Sequence, residues 1–196
     1  MKKACYVILL LNLTLYAMAQ NKPQPFAEIP PSPKAYTLGN VIARSVEGLG
    51  FRYHWATKGL RLEDLAYKPS PQGKTTFETL LHIYSLAETV YNVTQQKPNV
   101  RPPKDVPTDF EILRQETLLL LQKAAKSFRS SSPEKVETLP IIFEREGKTH
   151  RFPLWHLFNG PLADALYHTG QVVSFRRSSG NPIASGVNVF MGTKTP

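Results

Sequence analysis

Residues 159–177 read NGPLADALYHTGQVVSFRR, and apolar side chains recur through them at the three- and four-residue steps of a helix. Asp164 and His168 lie four residues apart in this stretch. At 3.6 residues per turn they leave the same face one turn apart, on or beside the apolar stripe. A carboxylate and an imidazole so placed make either a hydrogen-bonded couple or two ligands of a metal ion.

Working back along the chain, three further helices are expected. Tyr36 to Thr57 carries Leu38, Val41, Ile42, Val46, Leu49 and Tyr53 on one helical face, although Gly48 and Gly50 weaken the pattern. A second helix opens at TTFE, where Thr75 and Glu78 have the spacing of a capping box. It continues through Phe77, Leu80, Leu81, Tyr84, Leu86 and Val90, with His82 among them. A third opens at TDFE, where Thr108 and Glu111 repeat the box, and runs to the serines at 130–132. Segment 58–74 reads as a loop with one short turn at RLEDL, and the four prolines of QQKPNVRPPKDVP break the chain between helices two and three. The β-branched and aromatic residues around Glu146-Gly147 predict a small hairpin before helix four. Pro153 can open that last helix and Gly180 end it, while Pro161 should kink it or restart it just after Gly160. The tail from Asn181 reads as loop. The fold class is therefore all-α: a four-helix bundle with a small hairpin or loop insertion before the last helix.

The N-terminus has the form of a secretory signal over residues 1–19. Lys2 and Lys3 precede an apolar run from Ala4 to Tyr16, and Ala17-Met18-Ala19 is a small-x-small cleavage site. The run is shorter than the roughly 20 residues a membrane span needs, so export without stable membrane insertion is expected, to the periplasm or beyond it. Residues 20–35, with five prolines in QNKPQPFAEIPPSPK, read as an extended tether, and residues 36–196 as one domain. Cys5 is the only cysteine and lies inside the signal, so the mature chain can hold no metal through thiolates. Of the 24 Lys and Arg, setting aside Lys2 and Lys3 leaves 22 against 15 acidic residues. That excess is dispersed along the chain and reads as a solvated basic surface, so no nucleic-acid partner is expected.

Bundles build metal sites from polar side chains that face inward. Asp164, His168 and His82 would give three protein ligands with open positions, a set that suits zinc and also iron, manganese or nickel. On spacing alone a plain hydrogen-bonded couple is the better explanation of Asp164 and His168, and a satisfied core histidine that of His82. His54, His150 and His156 are the remaining histidines. His156 falls roughly 80° off the shared face of an ideal helix.

LLHIYSLAE (80–88), the downstream WHLFNGPLADALYHTGQVVSFRRSSGNP (155–182) and FRYHWATKGLRLEDLAYKPSP (51–71) together resemble the DinB/YfiT-like superfamily over nearly the whole mature chain. The resemblance implies a four-helix bundle whose divalent metal is bound by a histidine of the second helix and an H-x-x-x-H pair of the last. His82 and His168 match two of those positions, and His168-Thr169-Gly170-Gln171 keeps the His, Gly and Gln of the family's closing pattern while losing its basic residue. Asp164 stands where the first histidine of the pair is expected, which moves preference toward harder ions. The resemblance implies a metal-dependent hydrolase acting on a small-molecule substrate, or a thiol-dependent transferase. A non-catalytic metal- or ligand-binding bundle is the alternative, and a homodimer is left open. Gln171, Tyr84 and Tyr167 are candidates to position a ligand or donate a proton.

Overall fold

The computed structural model describes residues 24–195; the signal reading of residues 1–19 lies outside the described residues. The chain is mostly helical, with four long helices: α1 (Leu38–Thr57), α3 (Thr76–Gln95), α4 (Phe110–Ser130) and α7 (Ala163–Ser178). Short helices α2 (Leu62–Ala66), α5 (Pro133–Glu137) and α6 (Trp155–Leu157) lie between them. Strands β1 (Asn99–Arg101), β2 (Ile141–Arg145) and β3 (Lys148–Phe152) make a sheet in that order, β1 parallel and β3 antiparallel to β2. A two-residue ladder, β4 (Val187–Asn188) with β5 (Thr193–Lys194), closes the tail.

The long helices pack in a ring: α1 on α4, α4 on α3, α3 on α7, and α7 back on α1. Their directions follow from side-chain pairs. Gly39 at the start of α1 meets Phe128 near the end of α4, so those two helices are antiparallel. Tyr84 of α3 faces Glu116 of α4, and Tyr91 lies under Lys123 two turns further along both, so α3 and α4 run parallel. The 14 residues between them, 96–109, provide the crossover this requires. The helical stripes bury Ile42, Leu49, Leu80, Ile83, Leu113 and Leu121 completely, each contributing roughly 1.5–3 kcal/mol of transfer free energy.

Local chemistry sets the helix ends. Thr75 and Glu78 form the expected capping box at α3. At α4 the cap is Asp109, whose carboxylate accepts from the Ile112 amide at 2.9 Å, rather than the expected Thr108. Aspartate is as good an N-cap as threonine. The hairpin turns at Glu146 and Gly147, both at positive φ, as a two-residue type I′ loop requires. Helix α7 ends at Gly180 (φ 78°) in a Schellman motif: Asn181 N–H donates to Arg176 O and Gly180 N–H to Arg177 O. The expected face of α1 is turned slightly, leaving Val41 half exposed and burying Gly39. A Cβ on Gly39 would lie 2.4 Å from the Phe128 carbonyl oxygen, so glycine is what allows α1 and α4 to close here.

The proline-rich segment, from residue 24 onward, lies along α1 instead of extending from it. Phe26 is buried against Gly50, where a Cβ would lie 2.5 Å from its ring. The glycine that weakened the helical pattern is thus the seat of an aromatic side chain. Trp55 Nε1 donates to Ala27 O at 3.2 Å, and His54 Nδ1 pairs with Pro25 O at 2.9 Å. The tail returns to the same segment, with Ile29 N–H donating to Gly192 O.

Two predictions follow from this packing. Gly39→Ala should destabilise the protein by about 1–3 kcal/mol, because the backbone facing it cannot yield as a side chain would; chemical denaturation reads this out. Burial pushes the His54 imidazole down from 6.5 to about 4, the Pro25 carbonyl opposing and Arg114 and Lys58 reinforcing the shift. The unfolded chain therefore binds more protons between those values, and stability should fall as pH drops from about 6.5 toward 4. In His54→Asn, which retains a donor for Pro25 O, denaturation midpoints across that window should lose this component.

Candidate metal centre

The last helical region is broken where Gly160 and Pro161 stand. Residues Phe158–Leu162 form one wide π-type turn, and Gly160 adopts φ −95°, ψ −107°, outside helical space. Proline 161 cannot donate to the ladder, and a glycine before it absorbs the irregular dihedrals. The chain restarts as α7 at Ala163, which puts Asp164 in the first turn and His168 one turn on, both toward α3.

His82 meets them from α3. Its Nε2 lies 3.0 Å from Asp164 Oδ2, and His168 Nε2 lies 3.2 Å from Asp164 Oδ1. The imidazole planes are nearly perpendicular at 86°, with centroids 4.7 Å apart. One ligand atom from each of the three residues lies within 4.8 Å of the others, so this group can hold a metal ion. Their side chains are 35%, 41% and 18% exposed, which leaves the carboxylate side open to solvent. Asp164 pairs with no arginine or lysine among the described residues.

The donor set fits a cation on a specific chemical ground. His168 Nδ1 lies 2.7 Å from Gln171 Oε1, while Gln171 Nε2 donates to the Tyr167 hydroxyl at 3.1 Å. In the tautomer with the proton on Nδ1, which Gln171 Oε1 can accept, Nε2 is free of hydrogen and lies 3.2 Å from a carboxylate oxygen. In that tautomer two acceptors face each other, and a proton or a metal cation between them relieves the contact. A glutamine that sets the tautomer through the second nitrogen is the usual support of a ligating imidazole. No corresponding partner holds the other nitrogen of His82 among the described hydrogen bonds.

The other sequence candidates fall elsewhere. Tyr84 points to α4, where burial first and then Glu116 and Glu88 raise its hydroxyl to about 12. Tyr167 stays at the rim, its ring 5.2 Å from that of His168. His54 is buried at Pro25, His150 is exposed on β3, and His156 is exposed against the Phe152 ring.

Beside His82 opens a groove of about 590 Å³. Leu81 and Leu86 of α3, Phe143 of β2, Val106 and Pro161 make its apolar walls, and Ser85, Thr89 and Arg101 its polar points. No pattern in the sequence points to Arg101, which is brought there by β1 pairing with β2. Comparison with family models, with curated proteins and with solved structures gives no match.

The Gln171 contact is testable. Gln171→Ala should weaken zinc binding about 10- to 100-fold with helix content unchanged, the effect expected for losing the partner of a ligating histidine; competition with a chromophoric chelator measures it.

Proposed function

We propose that this chain is an exported DinB/YfiT-like four-helix-bundle protein that holds one divalent metal at His82, Asp164 and His168 and hydrolyses a small molecule. The observation that carries the reading is the convergence of the three side chains around an open edge, with the Nδ1 of His168 held by Gln171 and its Nε2 turned to Asp164. The ring of four long helices is consistent with the family's bundle.

Two imidazoles and one carboxylate suit zinc, iron, manganese or nickel, the carboxylate favouring the harder of these. When bound, such an ion lowers the pKa of coordinated water and polarises a carbonyl or phosphoryl oxygen. The chain's own residues supply the rest. His82 and His168 bind from two helices, Asp164 neutralises part of the charge, and Tyr167 and Gln171 hold the orientation of one ring. The groove beside His82 receives the remainder of the substrate and excludes water from its apolar wall. Hydrolysis needs no second reactant beyond water, which favours it over thiol transfer in an exported protein. A non-catalytic binding bundle would share the metal and lack the turnover.

Elemental analysis of the purified protein should find close to one metal per chain. His82→Ala and His168→Ala should each lose it while the far-UV helical signal persists. Ester, amide and phosphate substrates should turn over only without chelator. Metal retained in both variants overturns the site, and metal bound with no chelator-sensitive turnover leaves the non-catalytic bundle.

A further inference from the structure

Among the described residues, Arg101 is the one cation that lines the groove beside His82, and its one ion pair, with Glu88, is long. Its Nη2 donates to Thr89 Oγ1 at 3.1 Å and its Nη1 to Val100 O at 3.2 Å, both uncharged acceptors. Glu88 approaches Nη1 only to 3.9 Å. The guanidinium lies over the Phe143 ring, 5.7 Å from its centroid, and burial holds it below its usual range. A partly buried guanidinium with unused N–H donors, set in an apolar groove, is a receptor for a planar anion.

The spacing between this cation and the metal triad is set by α3. His82, Ser85 and Thr89 line the same groove. Thr89, which Arg101 contacts, is seven residues from His82, two helical turns or about 10 Å along the axis. Between those ends the wall is Leu86, Phe143 and Pro161, with no further charge. The nearby Glu88 carboxylate repels a doubly charged head about twice as strongly as a singly charged one.

We propose that this groove binds a medium-length aliphatic carboxylate, its carboxylate on Arg101 and its chain running toward His82. Resting on the hydrolase reading, the substrate is then an ester or amide with a free carboxylate about 10 Å from the bond that is cut. Its hydrolysis adds the hydroxyl of water to the acyl carbon, breaks the C–O or C–N bond, and passes the water's other proton to the leaving alcohol or amine.

Calorimetric titration separates this assignment from the metal reading. Metal-free protein should bind decanoate at one site and at least tenfold more tightly than decanol or decyl phosphate. Arg101→Met should remove that preference, with decanol binding unchanged, and Arg101→Lys should retain part of it. Equal affinity of the native protein for decanoate and decanol overturns the proposal, whatever either variant does. With zinc added, hydroxamates bearing a terminal carboxylate on a graded series of methylene spacers should bind most tightly where the extended chain matches about 10 Å. Decanoate selectivity without any gain from zinc keeps the groove and removes the metal. Tight zinc with no carboxylate selectivity keeps the metal and removes the groove assignment.

Discussion

The arrangement of the helices depends on Arg176, a buried guanidinium near the end of α7. Its Nη1 donates to the carbonyls of Trp55, Ala56 and Lys58, which the end of α1 leaves without helical partners. A cation there is doubly suited, since it satisfies the carbonyls and meets the negative end of the helix dipole. Because this residue sits at the end of its own helix too, α1 and α7 must run in the same direction. The α2 segment joins the same junction. Asp64 accepts from Arg61, from the Ser179 hydroxyl and from Asn181 Nδ2, and these bonds, that of Arg61 foremost, hold its carboxyl well below the usual range. Four chain segments are therefore tied at one end of the molecule by buried charges whose partners are nearly all present.

That tie is made two turns beyond His168, and it fixes which face of α7 looks at α3. At the other end the constraint is different in kind. Pro161 and Gly160 break the ladder, so the first turn of α7 is free to take its direction from the restart at Ala163. A continuous helix from Pro153 would have one phase throughout. The break lets α6 and α7 each choose their own, and α7 uses that freedom to set Asp164 against His82. Pro161 itself then forms a wall of the adjoining groove. One irregular turn thus positions both Asp164 and the surface beside it.

Much of this was legible in the sequence wherever a local signal decides the structure. Periodicity gave the four long helices, Glu146-Gly147 the hairpin, and Gly160-Pro161 the break, because each depends on residues close together in the chain. The i, i+4 spacing of Asp164 and His168 put both on one face, but it could not choose between a couple and a metal site. That choice rests on Gln171 and His82, reached through the next turn and through another helix. Features made by distant segments were hidden. The strand β1 is three residues in a proline-rich loop, stabilised by Asn99 Nδ2 donating to Ile142 O 43 residues on. Phe26 finds its place through a glycine in α1, so composition alone read residues 20–35 as a tether. Arg101 has no pattern of its own; its role comes from the sheet that carries it to α3.

The carboxylate at position 164 bears on charge as well as on ligand hardness. Two neutral imidazoles and one carboxylate around a divalent cation leave a net charge of one, where three imidazoles would leave two. Arg101 adds a positive charge to the same groove and Glu88 a negative one 3.9 Å from it. The whole surface from the triad to Arg101 would then carry about one uncompensated positive charge, concentrated in a partly apolar setting where screening is weak. Such a surface is balanced by one negative charge on the bound molecule, which is the charge of a monocarboxylate. Asp164 would in this way adjust the groove to the ligand that Arg101 is placed to receive.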